Sequence, residues 1–315
     1  MDDASRTSPD VTASTPAGRE GTIDFNGFPV WFRVVGAGAP ASHPPLLCLH
    51  GGPGAASDYL EPFGDLATTG REVVFYDQLG CGNSAIASPH DPTMWTTDLF
   101  VEEVDAVRMA LGLDRVHLVG QSWGGMLAMQ YALTRPAGVL SLVIESSPAS
   151  MTQWVSEANR LRSSLPADVD ATLRRHEADG TTDDPEYEEA MMVYYRRHLC
   201  RLDPWPDYVQ RTFDKLAANS EVYNVMNGPS EFHVTGVLKD WDIVGRLGEI
   251  ELPTLVMSGR HDEATPTIAE TVHNGIAGSE RVLFEESSHM CHAEERERCM
   301  EVVGEFLGRA EAPTP

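Results

Sequence analysis

The sequence predicts an α/β fold: a mainly parallel central sheet flanked by helices, with a helical segment inserted into it. Three observations carry that prediction. Short apolar runs alternate with stretches whose apolar residues recur at helical spacing, which is how βαβ units read. The alternation breaks between about Met151 and Trp241, where polar, Arg- and Glu-rich helical stretches are separated by Pro, Asp and Gly, and it resumes at Leu252. The chain has 315 residues, 42% of them hydrophobic, enough for a sizeable core and too many for a disordered chain.

In chain order, residues 1–20 are acidic and small-polar and read as a disordered tail, without the basic and apolar regions of a signal peptide. Gly21–Val35 reads as two strands around the turn signal Asn26-Gly27. Pro44–Leu49 and Glu72–Tyr76 are short apolar strands. The first ends at His50-Gly51-Gly52-Pro53-Gly54, the second at Asp77 and a glycine-rich turn. Thr96–Leu111 is a helix by the spacing of Leu99, Val104, Val107 and Leu111, with its acids outward. Arg115–Val119 is a strand, Gly124–Thr134 a helix stopped by Pro136, and Val139–Ile144 a strand. Within the insertion Pro185–Leu199 is the clearest helix; Tyr187, Met191, Tyr194, Tyr195 and His198 share one broad face, read as a packing face. Thr254–Ser258 and Arg281–Phe284 are strands, Pro266–Ala277 and Glu295–Leu307 helices.

The division that follows is a core over 21–147 and 246–310, a helical cap over 148–245, and a C-terminal tail over 311–315. Such a cap would lie over the C-terminal edge of the sheet, where open α/β sheets bind ligands.

Acidic residues outnumber basic ones 48 to 23, for a net charge of -25. A surface that negative repels phosphate backbones and anionic lipid, which argues against nucleic-acid and membrane partners. No apolar run approaches the ~20 residues of a membrane span. Cys48, Cys81, Cys200, Cys291 and Cys299 are scattered and form no CxxC pair, so they read as idle, buried thiols and not as a disulfide framework or zinc site. The expectation is a cytoplasmic protein.

Gly120-Gln121-Ser122-Trp123-Gly124 is a GxSxG between a strand and a helix, the context a nucleophile elbow requires. The glycines permit a tight turn that exposes the Ser122 hydroxyl at a helix N-terminus, where developing negative charge is favoured. Such a serine needs a base, and the base needs a carboxylate to fix its tautomer. In α/β-hydrolases the chain order is Ser, Asp or Glu, then His. Asp262 follows the Thr254–Ser258 strand and His289 follows the Arg281–Phe284 strand, so all three lie beyond strand C-termini. His292 and His261 compete with His289, and Asp77 is a fallback acid. The oxyanion needs two backbone N–H groups: one from Trp123, the other from Gly52, with Gly51 as the alternative since Pro53 has none. Nothing in this chemistry requires a metal or cofactor.

HGGPG at 50–54, GQSWGG at 120–125, SGRHDEATP at 258–266 and SSHM at 287–290 together resemble the proline iminopeptidases, α/β-hydrolase serine aminopeptidases, and most of all the tricorn-interacting aminopeptidases. The similarity runs from about residue 20 to 310, including YDQLGCGNS at 76–84, MNGPSEF at 226–232 and LKDWD at 238–242. It implies an α/β-hydrolase fold and a substrate, peptide or aminoacyl amide, with a free amino terminus. It also implies that Glu231 and Glu263 hold the substrate's ammonium, since a desolvated cation demands paired anions.

Other readings keep the fold and change the role. One is removal of an aminoacyl group from a small-molecule or natural-product amide. A general esterase or lactonase is another, and a non-catalytic α/β-hydrolase receptor a third, disfavoured because every catalytic part is present.

Overall fold

The computed structural model describes residues 18–36, 41–87 and 90–312. The expected disordered tail falls mainly on residues 1–17, outside the described residues, as do 313–315 of the expected C-terminal tail.

Eight strands form one sheet in the order β1-β2-β4-β3-β5-β6-β7-β8. β1 (Gly18–Phe25) and β2 (Phe28–Val35) make an antiparallel hairpin around Asn26-Gly27, both with positive φ, and β2 runs antiparallel to β4 (Val73–Tyr76). From β4 onward, through β3 (Leu46–Leu49), β5 (Val116–Gln121), β6 (Val139–Glu145), β7 (Thr254–Gly259) and β8 (Glu280–Phe284), every pairing is parallel. The central strands β3, β4, β5 and β7 are buried at every residue, as a sheet covered on both faces demands.

The helices are α1 (Thr97–Leu111), α2 (Trp123–Ala132), α3 (Met151–Arg162), α4 (Ala167–Asp179), α5 (Pro185–His198), α6 (Asp207–Ala218), α7 (Glu221–Met226), α8 (Pro266–Gly275), α9 (Cys291–Glu294) and α10 (Arg296–Glu311). Helices α3 to α7 all fall between β6 and β7, where the strand pattern breaks in the sequence. Thr96 caps α1 by accepting the Leu99 N–H, and Gly112 closes it in a left-handed conformation.

Several expectations need correction. The first strand begins at Gly18, not Gly21, because β2 continues to Val35 and pairs with Gly18, Arg19 and Glu20. Those three residues therefore belong to the sheet and not to a tail. The last helix runs to Glu311, past Leu307, because the Glu311 carboxylate is anchored to Arg71 at 2.9 Å and to His117 at 3.2 Å. Not all acids of α1 face outward: Glu103 is fully buried and accepts the Leu79 N–H at 2.7 Å, holding the turn after β4. Burial pushes its carboxyl well above the ordinary range, partly offset by that bond. The connection from β3 to β4, unassigned from sequence, is a 3-10 helical segment over Ser57–Thr69.

Candidate active site

Ser122 stands at the junction of β5 and α2 with φ 56 and ψ −123, a left-handed conformation that is strained for a residue with a side chain. The flanking glycines explain how the chain tolerates it. A Cβ at Gly120 would lie 2.2 Å from the Gly124 carbonyl oxygen, and one at Gly124 would lie 1.9 Å from that of Leu49. Strand, turn and helix are thus packed closer than any side chain permits. The Ser122 hydroxyl makes no capping bond to α2 and borders a cavity of about 570 Å³.

His289 and Asp262 are in contact. The His289 Nδ1 bonds to Asp262 Oδ1 at 2.7 Å, and both side chains are buried. Asp262 is held in turn by the Ala264 N–H at 2.7 Å and the Gly259 N–H at 3.3 Å. Ser122 and His289 line the same cavity.

The rivals are occupied elsewhere. His292 is fully buried with Nδ1 on Glu145 at 2.9 Å and Nε2 on the Tyr59 carbonyl at 3.0 Å, stacked on Phe63. His261 is exposed beside Asp262. Asp77 spends both oxygens on the backbone and side chains of Ser57 and Asn83, at 2.7–2.8 Å, which makes it the organiser of its turn.

Gly52 lines the cavity beside Ser122, and Trp123 opens α2 with its ring bonded to Gln78 at 2.8 Å. The Gly51 N–H is already donated to the Tyr59 hydroxyl at 2.7 Å. That hydroxyl in turn donates to Gln121 Oε1 at 2.5 Å, and Gln121 Nε2 donates to the His289 carbonyl at 2.9 Å. Tyr59 and Gln121 therefore tie the HGGPG loop, the serine turn and the histidine loop together. Sequence reasoning missed both. Gln121 lies inside the GxSxG motif, but nothing in its spacing marks it as a bridge.

Glu263 is 1% exposed, and neither of its carboxylate oxygens has a hydrogen-bond partner. Its Oε1 is 3.7 Å from His289 Nε2. Burial raises its pKa well above the ordinary range; His289 opposes this, while Glu231 and Asp262 add to it. Glu231 comes from the loop after α7 and lines the same cavity, its Oε1 accepting the Tyr223 hydroxyl at 2.7 Å. Burial raises its pKa too, against that bond and His289. On His289 the effects run the other way. Burial lowers its pKa, but Asp262, Glu263 and Glu231 prevail and push it up to about 9.

A third residue missed from sequence is Trp154 of α3. Its indole N–H donates to the Glu231 carbonyl at 2.8 Å, and its ring packs edge-on to His289 with centroids 5.9 Å apart. The face of α5 read as packing has a double role: Tyr187, Met191 and Tyr195 also line the cavity. All five cysteines are free and buried, matching the expectation of idle thiols. Among the described residues one group has metal-ligand spacing, His176, Asp184 and Glu186, with donor atoms within 4.8 Å of one another. It lies at the α4–α5 turn, and Glu186 already pairs with Arg175 at 2.8 Å.

A serine strained at a strand–helix turn, with a histidine–aspartate pair facing its cavity, is the arrangement of the α/β-hydrolases, and the sequence profile described as "alpha/beta hydrolase fold" matches residues 44–295. The protein is a hydrolase of that fold. Within it, the chain belongs to the proline iminopeptidase family. It is 40% identical to a proline iminopeptidase of Saccharolobus solfataricus over 277 residues, 88% of this chain and 87% of that protein. Among solved structures, the proline iminopeptidase of Mycobacterium smegmatis shares 42% identity with a TM-score of 0.86, covering 93% of this chain and 98% of that one. The structure of VinJ shares 43% identity with a TM-score of 0.88, covering 93% and 99%. Among the described residues no helix is long and apolar enough to cross a membrane.

Proposed function

We propose that this protein is a serine aminopeptidase that releases the first residue of a peptide or aminoacyl amide bearing a free amino terminus. The observation that carries the reading is Glu263, a buried carboxylate without a hydrogen-bond partner, in one cavity with Ser122, His289 and Glu231. An unpartnered buried acid costs stability unless a cation completes it. A substrate ammonium is such a cation. The names of the relatives agree with this reading.

In the mechanism that follows, Glu231 and Glu263 hold the ammonium and set the first carbonyl carbon over Ser122. His289, oriented by Asp262, takes the serine proton, and the N–H groups of Gly52 and Trp123 receive the oxyanion. Engagement of the Gly51 N–H by Tyr59 favours Gly52 for that role. His289 then protonates the leaving amine, and water hydrolyses the aminoacyl-enzyme. We read 148–245 as a cap over a core of 21–147 and 246–310, and the five buried thiols as those of a cytoplasmic protein.

The size of the cavity supports a second reading of the substrate. About 150 Å³ holds a benzene-sized molecule, whereas this cavity of about 570 Å³ is walled by Met191, Leu199, Phe213 and Leu216. That volume suits a bulky apolar amine, as in a small-molecule amide, as well as a short peptide. Both readings are tested on one panel: prolyl and alanyl arylamides, alanyl amides of bulky amines, and N-acetylated counterparts. Free-amine substrates are expected to be cleaved and acetylated ones spared. Ser122→Ala is expected to lose on the order of 10⁴-fold or more in kcat. Retention of most activity in that variant would overturn the assignment.

A further inference from the structure

The carboxylates around His289 are arranged for more than anchoring. The imidazole is flanked on both nitrogens by acid: Asp262 on Nδ1 at 2.7 Å and Glu263 on Nε2 at 3.7 Å. Both come from the loop after β7, and Glu231 reaches the same space from the loop after α7. Tyr194 and Tyr195 of α5 and Tyr223 of α7 back the two glutamates. Burial first, and then the neighbouring acids, keep all three phenols neutral. Trp154 of α3 covers the ring without a charge. The groups acting on His289 are thus three carboxylates, one of them lacking any other partner.

This creates a conflict with the chemistry. A general base must be neutral, and with its pKa raised to about 9 the empty site holds His289 as an imidazolium at neutral pH. The Nε2 that should accept the Ser122 proton has the Glu263 carboxylate 3.7 Å away.

We infer that Glu263 is shared between two cations in turn: His289 in the empty site and the substrate's ammonium in the loaded one, so that the arriving amino terminus releases the histidine's proton and arms it as the base. This rests on the ammonium clamp of the proposed function. The step balances simply. The ammonium brings one positive charge to Glu263 and Glu231, the Nε2–H bond of His289 breaks, and its proton leaves to solvent or to a substrate amine that arrives neutral. No covalent bond of the substrate changes. The amino terminus thereby contributes twice to selectivity. A substrate without it binds less well and also meets an unarmed histidine.

The test follows the His289 ring directly, by ¹⁵N NMR of histidine-labelled Ser122→Ala enzyme, with the signal assigned by His289→Gln. The pH is titrated with and without saturating L-prolinamide, and again with N-acetyl-prolinamide. In the free enzyme the midpoint is expected near about 9, and prolinamide should lower it by more than about one pH unit, since an opposite charge on a shared carboxylate removes its pull. Glu263→Gln should bring the free midpoint down toward the ordinary value of about 6.5. If prolinamide binds and the midpoint stays or rises, or if Glu263→Gln leaves it near about 9, the switch is overturned while the clamp stands. If prolinamide binds no better than its acetylated form, the clamp itself fails. Thermal unfolding of Glu263→Gln and Glu231→Gln separates either result from misfolding.

Discussion

Asp262, His289 and Gln121 at the strand ends are held by hydrogen bonds, whereas Glu263 beside them and Tyr194 of the inserted segment are buried with their side-chain oxygens unbonded. Asp262 accepts bonds from His289, Ala264 and Gly259, and Gln121 bridges Tyr59 to the His289 backbone. On the inserted side the Tyr194 hydroxyl and His198 Nε2 are buried without partners, and Glu231 is set by a single phenol and a single indole. Bonded groups are fixed to fractions of an ångström, which proton transfer needs. Buried aromatic walls fix shape and dielectric instead. On the proposed function, the bonded groups would carry the chemistry and the unbonded acid and aromatic walls the recognition, and their variants should separate accordingly.

The largest effect should come from the bonded side. Asp262→Asn keeps the shape but presents a donor where His289 requires an acceptor, so kcat on a free-amine arylamide should drop about 10⁴-fold with KM little changed. Loss of less than about 10-fold would mean that another acid orients His289.

On the inserted side, Glu231→Gln removes one charge from the ammonium clamp. Loss of a desolvated charge pair of about 2–4 kcal/mol corresponds to roughly 30- to 1000-fold in kcat/KM for free-amine substrates. Turnover of an N-acetylated ester, if measurable, should move by less than about 3-fold, and equal losses on both substrates would erase the distinction between the regions. Tyr223→Phe removes only the bond that positions Glu231. At about 1 kcal/mol it should cost about five-fold on the same free-amine substrate.

A separate effect is on stability. His289 has a folded pKa near about 9, above its unfolded value, so its contribution is complete below about pH 6.5 and lost as pH rises through about 9. His117 acts in the opposite sense. Burial foremost, with Arg71 and against Glu311, holds it down to about 4, so stability should rise between about pH 4 and 6.5. Urea midpoints of the free enzyme should therefore pass through a maximum near pH 6.5, and His289→Gln should flatten the alkaline side. An unchanged alkaline slope in that variant would show that His289 is not held protonated.

Much of this was legible in the sequence because it depends on local rules. Strands β3, β5 and β7 are apolar runs, α1 announces itself by spacing and a threonine cap, and the GxSxG glycines follow from packing too close for a Cβ. Chain order alone placed Asp262 and His289 beyond neighbouring strands. Glu231 and Glu263 were visible only through the family resemblance. Among 48 acids neither has a local signature, and what sets Glu263 apart is the absence of a partner. Tyr59, Gln121 and Trp154 were not legible at all, because their partners lie up to 168 residues away.

The sequence by itself determined the fold class, the strand–turn–helix that strains Ser122, and the order of Ser122, Asp262 and His289, since periodicity, glycine placement and topology are written along the chain. Only the tertiary structure set His289 on Asp262 and His292 on Glu145, engaged Gly51 elsewhere, and gathered three carboxylates around one imidazole. Those outcomes depend on burial and on which distant groups meet. The charge of a buried residue is set by its neighbours in space, which neighbours in sequence do not specify.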